Sequence, residues 1–107
     1  MNIATSLIRR YMKQHFRIQI DESQLVWEAV TLFKEEMDEQ MVPVVELTGF
    51  SDPLTICCSN YEDTQGNDWL FGLAIEEMSG KWLHGWIVRN GEIVVRDVPF
   101  GDAETPS

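Results

Sequence analysis

His84 and Asp97 are the two residues of this 107-residue chain best placed for acid–base chemistry. Asn90-Gly91 lies between two apolar runs and tolerates the positive φ of a two-residue type I′ reversal, which would set His84 opposite Asp97, with Glu77 diagonal on the same face. A carboxylate across a strand pair from an imidazole holds its tautomer and raises its pKa, the beginning of a general-base arrangement. The arrangement needs a nucleophile. Cys57, Cys58, Ser59 and Tyr61 carry suitable groups, but no spacing brings them to the histidine. An enzyme using His84, Asp97 and Glu77 therefore ranks third among the readings, behind two kinds of binding protein. The plain alternative is a polar pair whose members satisfy one another at a sheet end.

Metal binding requires three or four convergent ligands. His15, His84, the adjacent cysteines and many carboxylates show no ligand-spacing motif, so no metal is expected. The glycines are scattered and turn-linked rather than grouped as a phosphate cradle, and no cofactor is expected either. Four tryptophans offer a different chemistry. Trp27, Trp69, Trp82 and Trp86, oriented by His84, Asp97 and Glu77, would line a pocket for a cationic or aromatic ligand. That is the second reading.

Charge supplies the first. Eighteen acidic and eight basic residues leave a formal charge of -10, which repels nucleic acid and anionic membrane surfaces. Residues 1–20 hold Arg9, Arg10, Lys13 and Arg17 without an acid, whereas residues 21–80 hold fourteen acids and only Lys34. Glu28, Glu35, Glu36, Asp38 and Glu39 would crowd the solvent side of a helix and dock a basic protein partner, beyond their contribution to solubility. Neighbouring side chains in an extended chain point apart, so Cys57 and Cys58 are read as reduced thiols. Arg9 and Arg10 interrupt the apolar N-terminus before it resembles a secretory signal, and a cytoplasmic protein without membrane spans is expected.

These groups must be positioned by elements that hydrophobic spacing reveals. Ile3, Leu7, Ile8, Tyr11 and Met12 recur at helical steps from Asn2 to about Phe16, and Phe16, Ile18 and Ile20 alternate as a short extended link. Asp21 with Gln24 three residues on forms a capping box, flanked by Ile20 and Leu25, which predicts a second helix from Glu22 to about Gln40. Pro43 then opens a strand through Leu47, and a second runs from Leu54 to about Ser59. Strands from Trp69 to Met78, Trp82 to Arg89 and Glu92 to Val98 complete the sheet, joined at Ser79-Gly80 and Asn90-Gly91.

If both reversals are two residues long, Arg89 opposes Glu92, Val88 opposes Ile93 and Trp86 opposes both Val95 and Leu73. One face then gathers Trp69, Phe71, Leu73, Trp82, Trp86 and Val95 against the helices. The other exposes Leu83, Ile87, Val94 and Val98, an apolar patch that calls for a second covering layer or, as the favoured reading, a homodimer. The expected fold is α+β. Two N-terminal helices pack on one face of a curved antiparallel sheet of about five strands, in the order α-(β)-α-β-β-β-β-β, an architecture that resembles cone-shaped ligand-binding folds of the NTF2-like and cystatin-like kind. Residues 1–100 form one domain and 101–107 a flexible tail.

Overall fold

A helix forms where the apolar residues recur every three or four positions. Helix α1, Asn2–His15, buries Ala4, Leu7, Ile8 and Met12 along one stripe, and Lys13 and His15 complement the negative end of its dipole. The computed structural model describes residues 2–50, 52–76, 79 and 81–98. Beyond α1 the Met12 carbonyl accepts from the Phe16 and Ile18 amides at 3.0 and 3.2 Å. Arg17 lies between those amides in the left-handed region, at φ 57°.

The capping box exists, yet it caps very little. The Asp21 side chain accepts from the Ser23 amide, and the Gln24 side chain accepts from the Asp21 amide at 3.0 Å. The helix that follows is a single 3-10 turn, Glu22–Gln24. The expected second helix to Gln40 is absent, and strand β1, Glu28–Leu32, occupies its middle. The reason lies in Val26, Trp27, Val30, Thr31 and Phe33, whose β-branched or aromatic side chains fit a pleated surface better than a helix. Pairing with a neighbouring strand, Ala29 with Cys57 and Val30 with Ile56, then gives the backbone partners that a capping box alone cannot.

Two more 3-10 turns follow, Lys34–Glu36 and Val44–Leu47. The second replaces the strand expected after Pro43. Thus among the described residues one α-helix, not two, accompanies the sheet, whose remaining strands are β2 (Leu54–Glu62), β3 (Asp68–Ile75), β4 (Trp82–Arg89) and β5 (Glu92–Val95). All five strands pair antiparallel in the order β1-β2-β3-β4-β5. The α+β class and the five-stranded antiparallel sheet match expectation, whereas the proposed tail 101–107 lies outside the described residues.

Both faces of the sheet are covered from β2 to β5. Cys57, Trp69, Phe71, Leu73 and Ile87 meet α1 and the link through Ile20 and Leu25. Leu54, Ile56, Ala74, Trp86 and Val88 meet Met37 and Leu47 from the segment 33–50, with Met41, Val42, Val44 and Phe50 half-buried around them. That irregular segment is the second layer that the apolar outer face required.

The register departs from expectation at two β-bulges. Asn90 and Gly91 do form the tight reversal, at φ 50° and 79°, with Arg89 opposite Glu92 and Val88 opposite Ile93. The pairing then shifts so that Ile87, not Trp86, opposes Val95. Between β3 and β4 the broader reversal, where the Glu76 amide donates to the Lys81 carbonyl at 2.8 Å, sets Gly72 opposite Trp86 and Phe71 opposite Ile87. Residues 77, 78 and 80 of that reversal lie outside the described residues. A second shift sets Ile75 opposite Trp82 and Ala74 opposite His84. Each one-residue slip reverses which face a side chain occupies. Trp86 therefore lies under the segment 33–50, while Trp69, Phe71, Leu73 and Val95 face α1.

Candidate functional site

The tryptophans do not converge on one pocket. Trp27 donates from Nε1 to the Thr5 hydroxyl of α1 at 2.9 Å, and Trp27, Trp69 and Trp82 belong to the α1-side core. Trp86 is on the other side, donating from Nε1 to the Met41 carbonyl at 3.0 Å. Nor do Leu83, Ile87, Val94 and Val98 share an exposed patch. Ile87 and Val98 are buried and Val94 half-buried in the α1-side core, and Leu83 packs on the opposite core. The bulges cause both departures, since Leu83 and Val94 fall in the segments where pairing shifts.

His84 and Asp97 do meet, with Nδ1 and Oδ1 3.8 Å apart. The His84 Nε2 lies 2.6 Å from the Arg96 carbonyl, and because a carbonyl only accepts, this nitrogen carries a proton. Glu77 lies outside the described residues. Among the described residues no nucleophile joins the pair: β3 separates β2 from β4, and Cys57 and Ser59 alternate onto the α1 side while His84 lies beside Trp86. Burial pushes both cysteine thiols up, with further repulsion from Cys58 at Cys57 and from Glu28 at Cys58, so neither favours the thiolate. Both cysteines are free. Among the described residues no three His, Cys, Asp or Glu converge as metal ligands.

Ser59 is buried, and its hydroxyl oxygen lacks a hydrogen-bond partner. An unpaired buried hydroxyl costs stability that a methyl group of similar size does not. Ser59→Ala is expected to stabilise by about 1 kcal/mol, read as a rise in Tm of roughly 5 °C in a thermal melt. An unchanged or lower Tm would mean that the hydroxyl is satisfied.

The acidic residues are all at the surface, although not on a helix. Glu28 belongs to β1, Glu35 and Glu36 to the 3-10 turn after it, and Asp38 and Glu39 to the next turn, all exposed. Among them lie exposed Val26, Val30 and Phe33, at 69, 46 and 50% accessibility. Among the described residues strand β1 pairs only with β2, and its residues Glu28 to Thr31 are all exposed, so among those residues one long side of the strand and both of its faces are open. Lys34 does not neutralise these acids. Its Nζ turns to the carbonyls of Phe50 and Thr48.

Sequence reasoning missed a cleft of about 410 Å³ between residues 16–19 and the loop joining β2 to β3. Arg17, Tyr61, Asp63, Trp69 and Arg89 are among its lining. The Asp63 carboxylate accepts from Trp69 Nε1 at 3.0 Å, from the Asn67 amide and side chain at 2.9 and 3.1 Å, and from the Gln65 amide at 2.8 Å. These bonds, led by the indole, hold its carboxyl down at about 2. Asp63, Gly66 and Asn67 are a legible turn signal, and Gly66 takes φ 85°. Nothing local announces that Phe16 and Arg17 meet this turn. No family model, curated protein or solved structure matches the chain.

Proposed function

We propose that this is a non-catalytic interaction protein whose β1 edge receives a basic, extended segment of a protein partner. The carrying observation is an edge strand open on both faces and along its outer side, with exposed Val26, Val30 and Phe33 set among Glu28, Glu35, Glu36, Asp38 and Glu39. An uncovered edge presents unpaired backbone groups that can extend a sheet, and natural proteins usually blunt such edges. Negative charge here disfavours a second copy of the same strand and favours a cationic one, while the apolar side chains supply area to bury. The separated residues His84 and Ser59 give the enzyme reading no support.

The test uses a short peptide of alternating lysine and valine, with a glutamate–valine peptide as control. The lysine peptide is expected to shift the amide resonances of β1 first, and its Kd to weaken roughly tenfold between low and moderately high salt. Charge reversal by Glu28→Lys and Glu35→Lys is expected to weaken it by a similar factor. Equal binding of the two peptides, or an affinity indifferent to salt, overturns the proposal.

A further inference from the structure

Two arginines, Arg17 and Arg89, share the cleft beside α1 with one carboxylate, Asp63, which is ion-paired to neither. Among the described residues the ion pairs are His84–Asp97 and Arg96–Glu46, and neither includes Arg17 or Arg89. The guanidinium of Arg89 stands over the Trp69 ring, 5.6 Å from its centroid. The nearby Asp63 carboxylate is already engaged by four donors, so its acceptor positions are taken. In a chain of formal charge -10, a cleft that sets two guanidinium groups against one carboxylate is a local reversal of sign.

Arg17 supplies a second, independent observation. It holds φ 57°, a conformation that glycine adopts freely and an L-residue only at a cost. The residue ends α1, a place where a left-handed conformation is common and glycine is the usual occupant. Here the strained position carries a cation into the lining, where glycine would relieve the strain and remove the charge.

We propose that this cleft binds a small aromatic monocarboxylate, its carboxylate held by Arg17 and Arg89 and its ring against Tyr61 and Phe16. Guanidinium groups match a carboxylate in planar, bidentate fashion. The volume of about 410 Å³ lies in the range of small-molecule sites, and the aromatic lining favours a ring. A single negative charge fits better than a polyphosphate, which the protein's overall charge repels. The site lies at the far end of β2 from the residues that pair with β1, so it is separate from the proposed partner edge.

The full chain is titrated with benzoate, and in parallel with benzamide, benzylamine and inorganic phosphate, by calorimetry and amide chemical shifts. Benzoate is expected to saturate with shifts centred on residues 16–19 and 61–69, and to bind at least tenfold more tightly than benzamide or benzylamine. Arg17→Gln and Arg89→Gln are each expected to weaken benzoate about tenfold with unchanged thermal melts. Arg17→Gly distinguishes the charge from the backbone: it should raise Tm by a few degrees while weakening benzoate equally. Equal affinity for benzamide, competition by phosphate at equal concentration, no saturation, or undiminished binding by both glutamine variants each overturns the proposal.

Discussion

Gly72→Ala is expected to lower the stability of this protein by about 3 kcal/mol, a fall in Tm of roughly 15 °C. A methyl group at Gly72 would sit 2.2 Å from Cε2 and 2.4 Å from Cζ2 of the Trp86 indole. The ring cannot retreat easily. It is 1% exposed, tied by Nε1 to the Met41 carbonyl, and packed in the core between the sheet and residues 33–50. Replacing glycine in a strand usually gains a fraction of a kcal/mol from backbone entropy, so two effects of opposite sign compete. The clash wins, because such an overlap requires the indole or the backbone to move in a close-packed interior. Thermal melts check the direction, and Gly72→Ala combined with Trp86→Leu should recover part of the loss. An unchanged Tm in the single variant would place the indole elsewhere.

Trp69→Ala should be at least as damaging, at about 4 kcal/mol, because its indole is buried at 2% exposure and meets Phe16 edge-to-face at a centroid distance of 4.9 Å. Trp69→Phe preserves much of the area but removes the Nε1 donor to Asp63, and about 1–2 kcal/mol is expected. The phenylalanine variant also carries a pH signature. The folded carboxyl of Asp63 titrates near 2, below its ordinary 3.8, so its contribution is present above about pH 4 and lost as pH falls toward 2. Trp69 is the largest cause of that depression. Removing the indole donor moves the carboxyl back up, and the stability gap between wild type and Trp69→Phe should narrow between pH 4 and 2. A gap constant across that window would show that the indole does not set the titration.

Local signals in this chain were legible and their reach was not. Asp21 and Gln24 announced a capping box, which formed, but Val30 and Thr31 prefer a strand and found one in β2. Capping acts over one turn, whereas β pairing depends on residues some thirty positions away. Asn90-Gly91 likewise fixed its own reversal and the first two pairs beyond it. Two bulges then reset the alternation, which moved Trp86 to the face opposite Trp69 and dissolved the four-tryptophan pocket and the outer apolar patch together. A period-two argument carries no information about an inserted residue. Charge alone marks the acids, and they are exposed even though the helix expected to carry them does not form. The cleft at Arg17 was invisible because it joins the end of α1 to a loop some fifty residues later, and only the fold brings them together.

The meander has one more consequence, for a chain emerging from a ribosome. Each strand pairs with the one synthesised just before it, so every newcomer after β1 finds a template already outside. The widest delay falls between β1 and β2, where residues 33–53 must emerge first. During that interval the earliest strand lacks β2, its one neighbour, and Glu28 within it with Glu35, Glu36, Asp38 and Glu39 just after it oppose adhesion between nascent copies.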